Sequence, residues 1–301
     1  MIHRRSQRRS RALCCLGIAC TAVLAASCVL VPESSPLQLE RRHERTLASP
    51  AREPQNGVQP DDLQLYRLYQ MCLAVWRRRD QFADTGWELR YHYQEQTNTQ
   101  SLILEQNDTL YLVFRGSDVG RSEVDRRHNG MIVRRRPGFG SLRGNVRVHS
   151  GFLEKYQSVR DDLLQIAAQS EASRIVTVGH SAGGALALLA FIDLLDVEPD
   201  RTLYTVGFGA PRVLNRAGAR FLERSGLEDR ILRVVNGADL VTRLPPAILG
   251  YRHAGNRIEI SEITGLRVAS GYDHRSGYEP SLRQRAERAG AGDDFFATYR
   301  R

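Results

Sequence analysis

Residues 178–184 read Val-Gly-His-Ser-Ala-Gly-Gly, after an apolar β-branched run and before a stretch rich in alanine and leucine. Gly-x-Ser-x-Gly between a buried strand and a helix is typical of a sharp turn that exposes a serine hydroxyl above a sheet. Small residues are required because strand and helix crowd together at such a turn. The pattern therefore predicts Ser181 as a nucleophile, in a turn formed with Gly179, His180 and Gly183.

The segments on either side of this turn alternate between apolar strands and helices. Near-continuous apolar strands separated by helices favour an α/β fold, with a mostly parallel central sheet and helices on both faces. Strands are predicted at 101–105, 110–114, 174–178, 203–209, 230–235 and around 257–261, and helices at 61–79, 151–170, 182–196 and 216–225.

The amino-terminal residues 1–31 begin with clustered arginines and continue as a long uncharged stretch. This pattern predicts a targeting segment: a cleaved signal peptide, a lipoprotein signal that lipidates Cys28, or an uncleaved membrane anchor. All three place the rest of the chain outside the cytoplasm, either secreted or anchored at the cell envelope. Residues 32–60, rich in Pro, Ser, Arg, Glu and Gln, are predicted to be a flexible linker. A domain over 61–280 and a tail over 281–301 follow.

The net charge of +9 does not indicate a nucleic-acid partner. Five arginines precede Ala12, and the chain without them carries +4. The other basic residues lack the interleaved aromatic pattern of nucleic-acid surfaces. No carboxylate cluster resembles a calcium loop, and catalysis by a serine nucleophile requires neither a metal nor an organic cofactor, so none is predicted. Cys72 lies on the apolar face of the first helix and is predicted to be a buried thiol. The sequence makes no prediction of the oligomeric state.

The candidate serine needs two partners further along the chain. A serine hydroxyl becomes a nucleophile when a histidine accepts its proton and a carboxylate orients that histidine. In a fold with this turn the acid comes next and the histidine last, each in a loop after a later strand. Asp239 follows the strand at 230–235, and His274 lies beyond the last predicted strand. On the residues alone, His253 is the alternative base.

Several further motifs occur in a fixed order along the chain. They are Val-Phe-Arg-Gly-Ser at 113–117, Val-His-Ser-Gly-Phe at 148–152, Phe-Gly-Ala-Pro-Arg-Val at 208–213, Val-Val-Asn at 234–236, Leu-Pro-Pro at 244–246, Gly-Tyr-Arg-His at 250–253 and Asp-His at 273–274. Together with the serine turn they resemble the class 3, or fungal-type, lipases. The resemblance extends over about residues 61–280 and implies the α/β-hydrolase fold.

The resemblance implies a triad with Ser181 as nucleophile, Asp239 as orienting acid and His274, rather than His253, as general base. The implied activity is hydrolysis of carboxylic esters of lipids through an acyl-enzyme, as in triacylglycerol lipases. A phospholipase A1, or an esterase for polar esters, is the alternative on the same scaffold. A non-catalytic, hydrolase-like surface protein is a more distant alternative that would predict a damaged triad.

The resemblance also implies an oxyanion hole. Its donors are the backbone N–H groups of Ser117 and Ala182, with the Ser117 hydroxyl as a further donor. His149, His180 and His253 correspond to positions that are structural in the family, so no catalytic role is predicted for them.

The segment after the Arg-Gly-Ser motif departs from the family pattern. The resemblance implies a short amphipathic lid helix there, carrying a tryptophan and opening at a lipid surface. Residues 118–129 instead contain two valines and no aromatic side chain. We therefore expect only weak activation by triglyceride droplets.

Positive charge is concentrated around this segment. Residues 118–147 carry eight arginines against three acidic residues, a net +5. One interpretation is contact with an anionic phospholipid surface or an acidic substrate; the other is a solvated, arginine-rich loop. The candidate contacts are Arg121, Arg126, Arg127, Arg134, Arg135 and Arg136.

Overall fold

The structure, a computed structural model of the 301-residue chain, describes residues 60–76, 88–140, 142, 144–261, 274 and 276–292. The predicted targeting segment with Cys28, and the linker up to residue 59, lie outside these ranges.

The described strands form two sheets. They are β1 (Glu88–Gln94), β2 (Thr99–Gln106), β3 (Thr109–Phe114), β4 (Arg134–Arg135), β5 (Val148–His149), β6 (Arg174–His180), β7 (Thr202–Phe208), β8 (Leu214–Asn215), β9 (Ile231–Val235), β10 (Tyr251–Arg252) and β11 (Asn256–Glu259). The central sheet has the order β1-β2-β3-β6-β7-β9-β11. Its pairs from β3 to β11 are parallel, and β1, β2 and β3 pair antiparallel.

Helices cover both faces of the central sheet. They are α1 (Asp62–Ala74), α2 (Glu123–Gly130), α3 (Ser150–Gln157), α4 (Arg160–Gln169), α5 (Ala182–Val197), α6 (Arg216–Arg224) and α7 (Tyr278–Arg288). One core joins α3, α4 and α5 to the sheet, and a second core joins α1 and α7 to its other face. A mostly parallel sheet needs apolar cover on both faces, and these helices provide it. The predicted fold class is therefore confirmed.

The small sheet β10-β8-β5-β4 connects segments that are distant in sequence. The Tyr251 hydroxyl donates to the carbonyl of Ile132 at 2.6 Å, and Arg134 Nη1 donates to the carbonyl of Gly250 at 3.4 Å. Residues 132–135 are thereby fixed against the loop that follows β9.

Two predicted helices need correction, and one strand was missed. The single helix predicted at 151–170 is two helices, α3 and α4, because Ser158 caps the first. The Ser158 hydroxyl donates to the Lys155 carbonyl at 2.7 Å and also pairs with Thr97. Strand β1 was not predicted, although its sequence, Glu-Leu-Arg-Tyr-His-Tyr-Gln, alternates polar with apolar or aromatic residues, as an edge strand does. The predicted helix 61–79 ends at Ala74, and residues 77–79 lie outside the described part.

The predicted boundary at residue 280 falls inside α7. Leu282 and Ala286 of this helix are fully buried against α1, so the first part of the predicted tail belongs to the domain. Arg285 Nε donates to Asp62 Oδ1 at 2.7 Å, which joins the end of α7 to the start of α1. Cys72 on α1 is buried, as predicted, and burial raises the pKa of its thiol.

Within the described residues, no helix combines the length and apolar character needed to cross a bilayer. Over the same ranges, no group of three or more His, Cys, Asp or Glu side chains could hold a metal ion.

Candidate active site

The serine turn is as tight as its sequence requires. Ser181 has φ 58° and ψ −129° and stands directly before α5. A Cβ added to Gly179 would lie 2.2 Å from the carbonyl carbon of Gly183. A Cβ added to Gly183 would lie 2.2 Å from the carbonyl oxygen of Phe114. Only glycine fits at either position, because an added Cβ would collide with backbone atoms, which cannot move aside as a flexible side chain can.

Ser181, His274 and Asp239 form one hydrogen-bonded chain. His274 Nε2 lies 2.9 Å from Ser181 Oγ, and His274 Nδ1 lies 3.0 Å from Asp239 Oδ2. Because the carboxylate accepts the proton of Nδ1, Nε2 is the atom left to accept the serine proton. Asp239 and His274 are 1% and 7% exposed, so this hydrogen-bonded chain is shielded from bulk water. The chain's other candidate base, His253, donates from Nε2 to the Thr242 carbonyl at 2.7 Å instead.

The Asp239 carboxylate is held by donors from three directions. Oδ2 also accepts a hydrogen bond from the Tyr278 hydroxyl at 2.8 Å, and Oδ1 accepts from the Val241 N–H at 2.8 Å. Burial alone would raise the pKa of Asp239. The charge of His274 and these hydrogen bonds outweigh burial and hold that pKa below its usual value. The acid therefore remains an anion next to the histidine that it orients.

Tyr278 is a site residue that sequence reasoning missed. It is fully buried, and its hydroxyl also accepts a hydrogen bond from the Asn236 N–H at 3.2 Å. Burial and the nearby Asp239 raise the pKa of Tyr278, so its hydroxyl remains a donor. The available signal was a tyrosine only four residues after His274 in the sequence.

His180 supports the candidate base from behind. Its ring stacks on that of His274 with centroids 4.7 Å apart, and its Nε2 donates to the His274 carbonyl at 2.9 Å. Burial, and then the nearby His274, lower the pKa of His180 to about 3. His180 is therefore neutral and adds no positive charge beside the candidate base.

The two predicted oxyanion donors lie at element ends beside the serine. Ser117 follows the end of β3 by three residues, and Ala182 is the first residue of α5. A Cβ added to the neighbouring Gly116 would lie 3.4 Å from Ser181 Cβ, which places this loop against the turn. The first N–H groups of a helix have no partner within it and can bind an anion. The Ser117 hydroxyl donates to Asn129 Oδ1 at 3.1 Å.

A small cleft opens beside Ser181. Its lining also includes Asn129 and His149, and is otherwise mostly apolar. The apolar residues include Ile132, Phe152, Pro211, Val241, Leu244 and Pro245. Such a surface suits a hydrocarbon chain next to the hydroxyl.

The predicted arginine contacts divide into two groups. Arg121, Arg127, Arg135 and Arg136 are exposed. Arg126 and Arg134 are half-buried, and each donates a hydrogen bond to a backbone carbonyl, of Val119 and Gly250 respectively. Arg134 also lies over the ring of Tyr251, 5.5 Å from its centroid. These two arginines stabilise local structure and are less available to a ligand.

The hydrogen-bonded Ser–His–Asp chain lies at the carboxyl ends of parallel strands, where α/β enzymes bind ligands. Fold and geometry together define a serine-hydrolase type of site on the α/β-hydrolase fold. Residues 111–249 match the family model described as lipase (class 3). Over these residues the chain is similar to the class 3 lipases.

Known relatives agree with this family. A lipase of Rhizopus niveus is 33% identical over 168 residues, which are 53% of this chain and 40% of that protein. A secreted mono- and diacylglycerol lipase of Malassezia globosa is 36% identical over 119 residues, covering 38% of this chain and 39% of its own. The structure of a fungal lipase–inhibitor complex is similar with a TM-score of 0.60 and 25% identity, covering 73% of this chain and 94% of that chain. The chain thus spans less than half the length of the two sequence relatives.

Proposed function

We propose that the domain hydrolyses carboxylic esters of lipids through an acyl-enzyme on Ser181. The observation that carries this proposal is the Ser181–His274–Asp239 hydrogen-bond chain at the mouth of an apolar cleft. The lipases among its relatives support the same reaction class.

In this mechanism His274 Nε2 takes the proton of Ser181 Oγ as that oxygen attacks the ester carbonyl. The carbonyl oxygen becomes an oxyanion that the backbone N–H groups of Ser117 and Ala182 stabilise. The imidazolium then protonates the leaving alcohol, and the C–O bond breaks to leave the acyl group on Ser181. A water molecule repeats the cycle, with the same base, and releases the acid. Asp239 keeps the imidazole oriented and stabilises its charged form.

The acyl chain of the ester is assigned to the cleft lined by Ile132, Phe152, Leu244 and their apolar neighbours. The exposed arginines at 121, 127, 135 and 136 favour a phospholipase A1 as the second candidate. Each of these arginines would contribute about 1 kcal/mol to the free energy of binding an anionic membrane surface. We also propose that the protein is exported, as the secreted Malassezia relatives are. The arginine-rich start and uncharged stretch of residues 1–31 support export.

Hydrolysis by the full chain tests the function, with Ser181→Ala as the matched control. p-Nitrophenyl esters of increasing chain length would be compared with neutral glycerides and with phosphatidylglycerol vesicles. Loss of all ester hydrolysis in the variant, with unchanged thermal melting, is the expected result. Faster hydrolysis of phosphatidylglycerol vesicles than of neutral glycerides would favour the phospholipase A1 activity. No hydrolysis of any ester by the wild type would reject the proposed function.

A further inference from the structure

A buried ion pair lies beside residues 115–118, the loop that carries the predicted oxyanion donor Ser117. The pair takes no part in the reaction described above. Asp125 on α2 is completely buried, Lys155 on α3 is 2% exposed, and Lys155 Nζ lies 2.7 Å from Asp125 Oδ1. Lys155 is the only lysine among the chain's 43 basic residues. Its Nζ also donates to the backbone carbonyls of Thr97 and Asn98. A compact ammonium suits this convergent set of acceptors better than a planar guanidinium fork.

The carboxylate of Asp125 is bonded to the loop that carries Ser117. Asp125 Oδ2 accepts a hydrogen bond from the N–H of Asp118 at 2.7 Å. It also lies 3.5 Å from Arg115 Nη2, on the other side of Ser117. A single carboxylate therefore contacts Arg115 and Asp118, on either side of Ser117, the predicted oxyanion donor.

Helix α2 reaches Ser117 from its other end as well. Asn129, near the end of α2, accepts the hydrogen bond of the Ser117 hydroxyl at 3.1 Å. The carbonyl oxygen of His128 would be only 1.8 Å from a Cβ at Gly151, so the backbones of α2 and α3 touch. The Ser150 hydroxyl donates to the Met131 carbonyl at 2.8 Å. The helix is thus fixed to α3 at both ends, in the segment where a lid was expected.

The pair is held against a substantial desolvation cost. Burial lowers the pKa of Lys155, and the neighbouring Asp125 only partly offsets this effect. Removing one partner would leave the other charge buried and uncompensated, which folded proteins strongly disfavour. Movement of α2 away from α3 would separate the same two charges, so the pair resists opening of this segment.

We propose that Lys155 and Asp125 are positioning residues for the oxyanion hole. Together they fix α2, and through it the Ser117 N–H, in the productive orientation before any substrate or lipid surface is present. The inference rests on the proposed function and adds to it an oxyanion hole that needs no lipid interface to form. The expected substrates therefore include monomeric esters in solution.

The test uses the full-length variants Lys155→Met, Asp125→Asn and the combination of both. The combination removes both charges and so keeps the measurement possible where a single variant does not fold. Titration of Ser181 with a fluorophosphonate counts the active sites, so that kcat on p-nitrophenyl butyrate is expressed per competent site. The inhibition constant of an alkylboronic acid, whose adduct with Ser181 places an oxygen in the oxyanion hole, is measured in parallel.

The expected result is a fall in kcat per site of roughly 10- to 100-fold with little change in KM, smaller than the roughly 100- to 1,000-fold loss when an oxyanion donor is removed outright. The boronate inhibition constant should rise by about the same factor. In the wild type, the boronate should bind equally well with and without micelles. A combined variant with wild-type kcat per site and boronate affinity would overturn the proposal, as would wild-type boronate binding that requires micelles.

Asp193→Asn provides the matched control. Asp193 is 1% exposed and accepts hydrogen bonds from Tyr156 Oη at 2.8 Å and Arg160 Nε at 2.6 Å, away from residues 115–118. This variant should have a lower melting temperature but keep its kcat per titrated site. A comparable loss per site in this control would assign the effect to general loosening and overturn the proposal. Absence of both hydrolysis and labelling in the wild type would instead count against the proposed function, while boronate binding still tests the positioning role.

Discussion

Asp125 and Asp239 are both buried carboxylates with several donors, but they stabilise different kinds of partner. Asp239 faces the histidine that we propose gains and loses a proton in each turnover, and neutral donors from Tyr278 and Val241 also bind its carboxylate. Asp125 faces a lysine whose charge has no part in the reaction. Asp239 therefore stabilises a charge that changes during the proposed reaction, whereas Asp125 holds a structural segment in place. A change at Asp239 should affect mainly rate, whereas a change at Asp125 should affect stability as well.

The largest expected effect is that of Asp239→Asn on rate. The amide cannot hold the correct tautomer of His274 or stabilise its cation, so kcat should fall by about 10⁴-fold. Steady-state kinetics on a soluble p-nitrophenyl ester measures this, with fluorophosphonate titration as the count of folded sites. A fall below about tenfold would remove Asp239 from its proposed role.

Asp125→Asn should have the larger effect on stability. The substitution leaves the Lys155 ammonium buried without its counter-charge, which costs about 3–5 kcal/mol of unfolding free energy. Urea unfolding of the variant and of Lys155→Met would measure this cost. The combined variant should recover part of the loss, because no charge remains buried, and a strictly additive loss would contradict a direct pairing.

Acid should destabilise the protein through its buried neutral histidines. Burial, as the leading cause, lowers the pKa values of His149, His180 and His253 to about 3. The unfolded chain, with a histidine pKa near 6.5, then binds more protons. The stability that they contribute is complete above about pH 6.5 and is lost as pH falls toward 3, by roughly 2 kcal/mol per histidine at pH 5.

Urea unfolding at a series of pH values would measure this slope. His253→Asn keeps a donor for the Thr242 carbonyl and should remove one histidine's share of the slope. An unchanged slope would mean that His253 is protonated in the folded protein.

Tyr278→Phe tests how much the carboxylate depends on its neutral donors. Loss of one hydrogen bond to the Asp239 anion should cost about 1.5 kcal/mol, or roughly tenfold in kcat. Fluorophosphonate titration distinguishes this from general damage, because it expresses kcat per competent site. A variant with wild-type kcat per titrated site would assign Tyr278 to packing alone.

The smallest expected effect concerns the exposed arginines. Arg135→Ala with Arg136→Ala should weaken binding to phosphatidylglycerol vesicles by about 1 kcal/mol per arginine at low salt. Vesicle sedimentation measures it, and Arg134→Ala is a useful contrast because Arg134 is packed over Tyr251. Equal binding of neutral and anionic vesicles by the wild type would argue for a simple solvated loop.

The parts of the molecule set by local patterns were predictable from the sequence. The serine turn, the alternation of strands and helices, and the position of Asp239 after β9 all follow from contiguous residues. Parallel strands gather their carboxyl ends at one edge, so candidate residues in successive loops were expected to meet. The catalytic roles themselves remain predictions.

Other features depend on contacts that no local pattern encodes. The pairing of Asp125 with Lys155 requires the packing of α2 on α3, and the single lysine of the chain was its only signal. The break between α3 and α4 depends on Ser158 meeting Thr97 of the β1–β2 turn. The place of Tyr278 beside Asp239 depends on how α7 docks against α1, and this helix continues past the predicted boundary at 280.

The ion pair between Asp62 and Arg285 brings together the start of α1 and the end of α7. The chain therefore enters and leaves the described domain at neighbouring points, an arrangement that tolerates insertion into another protein and circular permutation. Joining the ends of α1 and α7 with a short linker and opening the chain at a surface turn such as Asn107–Asp108 should leave the cleft intact. The domain would then serve as a module carried within a loop of a host protein.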